Sequence, residues 1–102
     1  MVAKTIPIIT ALQAQAAANL FLSDHLPDRF TAGQPRLDHV DNVWRVPVLL
    51  AYPVIGSVGQ VGEIVISAAS EEVISHTPFE EMKTVAQALY QQHCDEIEAP
   101  VL

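Results

Sequence analysis

The chain has one cysteine, Cys94, in 102 residues. No intrachain disulfide can therefore hold it together, and its cysteine usage gives no sign of an oxidising compartment. Positive charge is equally scarce: Lys4, Arg29, Arg36, Arg45 and Lys83 are scattered and stand against twelve Asp and Glu, for a formal net charge of -7. Such a field repels phosphate backbones, which disfavours nucleic acid as a partner. Long apolar runs are missing too, and none approaches the ~20 residues needed to cross a bilayer. Lys4, the apolar Ile6 to Leu12 and the triplet Ala14-Gln15-Ala16 imitate a secretory signal and its cleavage site, but Pro7 and Thr10 interrupt the short apolar core. The expectation is a cytoplasmic protein with no membrane association.

Apolar mass is present in quantity. Half of the residues are hydrophobic and 17% are charged, which excludes disorder and leaves more apolar surface than a small monomer readily hides. The length suits one domain spanning 1–102 without an internal repeat. Self-association follows as an expectation.

Thr10 followed by Gln13 is a capping box that starts a helix. The Ala-rich segment through Leu26 carries Ala14, Ala17, Ala18, Phe21, Leu22 and His25 along one stripe, and Pro27 stops it. Gly33 and Pro35 mark a turn or an irregular edge strand, Arg36 to Val40 reads as a short strand, and Asp41-Asn42 is turn chemistry. In Val43 to Tyr52, Trp44, Val46, Val48, Leu50 and Tyr52 share one strand face, while Leu49 and Ala51 make the other face apolar, which predicts partial cover on both sides. Pro47 must sit where the ladder needs no donor.

Gly56, Gly59 and Gly62 punctuate what reads as a long hairpin loop over Val54 to Gln60, before Glu63 to Ser67 resumes a strand. These glycines lead into a β-branched strand with no Lys-Ser/Thr pair, so a phosphate cradle is not expected. A tight turn around Ala69 to Glu71 returns the chain as a short strand, Glu72 to Ser75. Thr77-Pro78-Phe79-Glu80 is a helix start with Thr77 as N-cap, proline at the first helical position and a glutamate suited to the helix dipole. Phe79, Met82, Val85, Ala86, Leu89 and Tyr90 then form the apolar stripe of a helix that Pro100 closes. The fold expected is α+β: an antiparallel meander of three or four strands, with an N-terminal and a C-terminal helix packed on one face.

Candidate chemistry is sparse. No two of His25, His39, His76 and His93 lie at i, i+3 or i+4 with a carboxylate partner on one helix, so no zinc motif is formed. Asp38, His39 and Asp41 could form an acid-base pair or a weak cation site, and a solvated turn explains them as well. His76, just before the helix, suits a hydrogen bond to the loop. His93 and Cys94 are adjacent, but neighbouring helical side chains point about 100° apart, and the Asp95 to Glu98 run reads as a solvated helix end. No catalytic, cofactor-binding or metal-ligating residue is expected. The residues best placed for contact with a ligand or partner are Trp44, Tyr52, His39, Asp41 and His76.

The run from Gly62 to Ile74, Gly-Glu-Ile-Val-Ile-Ser-Ala-Ala-Ser-Glu-Glu-Val-Ile, resembles the hairpin of PepSY-like domains. Ser67 stands where that family usually has aspartate, and Glu71 where it has the turn glycine. The resemblance implies an interaction or inhibitory module and carries no catalytic residue over. Three functions remain in view: a non-catalytic protein-binding module that is itself a homodimer, an acidic inhibitor or antitoxin-like partner of a basic protein, and a small-molecule-binding or catalytic domain with a pocket near Trp44 and Tyr52.

Overall fold

The computed structural model describes residues 8–26, 29–52 and 55–97. Its elements are α1 (Ala11–His25), β1 (Phe30–Ala32), β2 (Arg36–Asp38), β3 (Val43–Tyr52), β4 (Gly56–Ser67), β5 (Val73–His76) and α2 (Phe79–Ile97). All strand pairs are antiparallel, in the order β1-β3-β4-β5, with β2 also on β3. The class is α+β, as expected. Pro27 and Pro100, expected to end the helices, lie outside the described residues.

β1 and β2 are two pieces of one edge strand. The register advances by one residue between Ala32↔Val48 and Arg36↔Arg45, and the break falls at Gly33-Gln34-Pro35. Pro47 of β3 lies opposite. The Gly33 N–H donates to the Pro47 carbonyl at 2.8 Å, but proline has no N–H to return the bond. Gln15 of α1 replaces it, its Nε2 donating to the Gly33 carbonyl at 2.9 Å and the Ala32 carbonyl at 3.2 Å. One turn on, Asn19 Oδ1 accepts from the Ala32 N–H at 2.9 Å. These two side chains pair with the rim of β1 as a neighbouring strand would, so the sheet edge is covered.

α1 starts with the expected capping box: Thr10 Oγ1 accepts from the Gln13 N–H, and Gln13 Oε1 accepts from the Thr10 N–H. Ala14, Ala18 and Leu22 face the sheet and are buried. Their small size lets the helix approach closely enough for Gln15 and Asn19 to reach β1. Together with Val46, Val48, Leu50, Ile64, Ile66 and Met82 they form one core between the helices and a single sheet face. Full burial of each large side chain contributes about 1.5–3 kcal/mol.

The opposite face carries Arg45, Pro47, Leu49 and Ala51 of β3 beside Glu63 and Val65 of β4. No described element lies over it, so the partial cover expected on both sides of β3 is found on one. The flanking loop carries Asn42 at φ 53, the left-handed conformation that asparagine tolerates.

The long hairpin loop expected over Val54 to Gln60 is instead strand from Gly56 onward, and Val54 lies outside the described residues. Register shifts at Val58 and Val61 absorb the glycines into the ladder. Gly59 and Gly62 provide clearance beneath α2. A Cβ on Gly59 would stand 2.9 Å from Leu89 Cδ1, and one on Gly62 would stand 2.9 Å from both Met82 Cγ and Thr77 Cβ. Thr77 also departs from expectation. Its N–H donates to the Glu63 carbonyl at 2.9 Å and its Oγ1 accepts from the Glu63 N–H at 3.0 Å, so it prolongs the β4–β5 ladder and its hydroxyl does not cap α2.

Two substitutions test this packing. Gly62→Ala drives a methyl into fully buried Met82 and is expected to destabilise the protein by about 1–3 kcal/mol. Asn19→Ala strips the acceptor from the Ala32 N–H and is expected to lower stability by about 1–3 kcal/mol. Urea unfolding followed by circular dichroism measures both, and wild-type midpoints would refute the close approach and the edge cover respectively.

Candidate functional site

Trp44 and Tyr52 share a face of β3 but stand at its two ends, eight residues and roughly 26 Å apart. They therefore do not line one pocket. The indole Nε1 of Trp44 donates to the Ile9 carbonyl at 3.1 Å, tying the chain ahead of α1 to the sheet. Tyr52 has another setting. The Ala51 N–H donates to the Arg29 carbonyl at 2.8 Å, continuing the β1–β3 ladder by one rung. That rung sets Arg29 beside Tyr52, and the guanidinium lies over the Tyr52 ring, 5.2 Å from its centroid.

Tyr52 and Arg29 form one wall of a solvent-open cleft of about 270 Å³ between the end of the sheet and α2. Phe30, Leu50 and Ala86 give it an apolar floor, and Lys83, Gln87 and Tyr90 bring the exposed and half-buried side of α2 to its rim. The volume lies just below the usual ~300–1,000 Å³ of ligand pockets. Arg29, Lys83 and Tyr90 were not among the candidates named from the sequence. Their convergence is non-local and leaves no signal along the chain.

Asp38 and Asp41 converge on Arg45 together with Glu63. Arg45 Nε is 2.9 Å from Asp38 Oδ2, Nη1 is 3.0 Å from Glu63 Oε1 and Nη2 is 3.7 Å from Asp41 Oδ2. Asp38 Oδ1 also accepts from the backbone N–H groups of Val40 and Asp41 at 3.0 and 3.3 Å. The bond from Arg45, reinforced by the Asp41 N–H, holds the Asp38 carboxyl below its ordinary pKa, and the same bond followed by that to Glu63 holds Arg45 above its own. This is an ion-pair staple across β2, β3 and β4. His39 is exposed beside it, on a solvent-open pocket of about 420 Å³ that Arg36, Leu37 and Val40 also line.

His76 meets its expected role, its Nδ1 lying 2.7 Å from the Thr77 carbonyl. His25 Nδ1 is likewise 2.9 Å from the Phe21 carbonyl. A carbonyl only accepts, so in both rings Nδ1 carries the proton. Both imidazoles stack on Phe79, at 5.0 Å for His25 and 4.5 Å for His76, with Phe21 against all three rings. The cluster joins the end of α1 to the start of α2. Cys94 is a half-buried free thiol. Among the described residues no three His, Cys, Asp or Glu side chains gather as a metal site, and no helix is long and apolar enough to cross a membrane.

No family model, curated protein or solved structure matches this chain.

The Arg45 staple makes stability depend on acid. A carboxylate whose folded pKa is depressed contributes stability above its unfolded pKa, ~3.9 for aspartate, and loses it as pH falls through the lower folded value. Urea midpoints are expected to fall below about pH 4 more steeply in the wild type than in Arg45→Gln, and parallel profiles would show that the staple contributes nothing.

Proposed function

We propose that the protein is a small non-catalytic binding module that works as a homodimer, paired through the outward side of α1. One observation carries this reading: α1 has no charged side chain before Asp24, yet Leu12 and Leu20 on its solvent side are 75% and 67% exposed. Ala16 lies between them, and Ile8 is exposed just ahead of the helix. Copies of a chain with net charge -7 repel one another over most orientations. The uncharged helix face is where two copies approach with least repulsion.

The spacing also suits two-fold symmetry. Leu12, Ala16 and Leu20 recur every four residues, so an antiparallel α1 pair sets Leu12 of one protomer against Leu20 of its partner, with the two alanines at the axis. Alanine there allows the axes to approach to the ~8 Å end of helix packing distances. The open sheet face, with Pro47, Leu49, Ala51 and Val65, is then the surface left for a different protein. A reducing cytoplasm suits the free Cys94, and the PepSY-like hairpin agrees with an interaction module. The acidic-inhibitor reading draws less support, because Asp38, Asp41 and Glu63 face Arg45 within the chain.

Light scattering coupled to gel filtration is expected to report a dimer for the wild type and a monomer for Leu12→Glu/Leu20→Glu. Both substituted positions are exposed, so the circular-dichroism spectrum is expected to stay unchanged. A wild-type monomer at tens of micromolar concentration, or a dimer that survives the double substitution, would overturn the α1 pairing.

A further inference from the structure

We propose that the cleft between the end of β3 and α2 is a binding site for a small monocarboxylate with an apolar body, either an aromatic acid or a short aliphatic one. This goes beyond the α1 pairing and does not depend on it, because no α1 residue lines the cleft.

The described residues include four of the five cations. Arg45 faces three carboxylates, and Arg36 stands on the far side of the sheet, opposite Arg45 in the ladder. The remaining two, Arg29 and Lys83, both border the same cleft. Among the described residues no carboxylate pairs with Arg29, which lies instead over the Tyr52 ring. Stacking on an aromatic ring orients a guanidinium and leaves its N–H edge able to meet a carboxylate with two parallel bonds. Among the described residues Lys83 has only Glu80, at 3.6 Å, and Glu80 is 89% exposed. An exposed pair of that kind is weak and readily exchanged for a second anion.

Beneath the two cations the cleft is apolar. Leu50 and Ala86 are buried at its base, and half-buried Phe30, Tyr52 and Tyr90 present ring surface. The aromatic rings provide apolar contact area, and the tyrosine hydroxyls supply further donors. A free inorganic anion would use the cations and leave the floor wet. A neutral apolar molecule would use the floor and leave the cations unengaged. A molecule with one carboxylate and a compact apolar body uses both.

The test is a titration of the ¹⁵N-labelled full chain followed by NMR, with three probes: 4-phenylbutyrate, its uncharged amide 4-phenylbutyramide, and inorganic phosphate. The expected result is saturable shifts around Arg29, Tyr52, Ala86 and Tyr90 with 4-phenylbutyrate. Affinity is expected to be at least about tenfold weaker for the amide, and for 4-phenylbutyrate on Arg29→Gln, as befits loss of a charge-assisted contact. Arg29 is exposed, so that variant is expected to keep the wild-type spectrum away from the cleft. Equal affinity for acid and amide, the same saturable shifts with phosphate, or no saturable shift with 4-phenylbutyrate would each overturn the proposal. Repeating the titration on Leu12→Glu/Leu20→Glu is expected to leave the affinity unchanged. The same experiment thus separates failure of this site from failure of the α1 pairing.

Discussion

Much of this architecture depends on one missing hydrogen-bond donor. Pro47 occupies the middle of β3, a strand flanked on both sides, and it cannot answer the Gly33 carbonyl across the ladder. An unpaired backbone carbonyl at a partly buried sheet edge is costly. The fold supplies a side-chain donor, Gln15, and Asn19 one turn later takes the neighbouring N–H. These bonds fix how α1 is rotated about its axis. With Gln15 and Asn19 toward the edge strand and Ala14, Ala18 and Leu22 toward the core, Leu12, Ala16 and Leu20 are left pointing outward. The exposed apolar side of α1 is thus a geometric consequence of how the Pro47 gap is closed.

The two helices serve different ends of the sheet. α1 covers the broken edge, whereas α2 lies across β4, close enough that Gly59 and Gly62 must lack side chains. The ring cluster of Phe21, His25, His76 and Phe79 joins the end of the first to the start of the second. That union leaves the stretch of α2 that follows, from Lys83 through Ala86 to Tyr90, to meet the end of β3 and the start of β1. The cleft therefore arises where the sheet outlasts the core.

Local chemistry was legible in the residues: the Thr10–Gln13 capping box, the Asn42 turn, the alternation in β3 and the stripe of α2 each state a short-range rule. Long-range demands were not. Gly59 and Gly62 carry loop signals when read along the chain, and only their pairing with Leu50 and Val48 shows that they belong to a strand, with Leu89 and Met82 excluding a side chain there. Thr77 reads as a cap because the Thr-Pro-x-Glu pattern is local, while the Glu63 backbone that takes its hydroxyl is fourteen residues away. Tyr52 could be named from its strand face, but Arg29 and Lys83 gain meaning only when the ladder and α2 bring them together. Shared face alone pairs Trp44 with Tyr52 in the sequence, and strand length separates them.

Charge divides the surface into zones that the two proposals use in different ways. A chain at net charge -7 repels anions at long range, but at physiological ionic strength that repulsion fades over ~8 Å. Inside that distance the local pair Arg29 and Lys83 sets the sign. A polyanion extends beyond the cleft into the acidic surroundings and meets repulsion there, including that of Glu80 beside Lys83. A single carboxylate at the rim does not extend so far, and its apolar body is directed toward the floor. The scarcity of positive charge, which excludes so much when the sequence is read alone, thereby narrows the ligand to one with a single compact negative group.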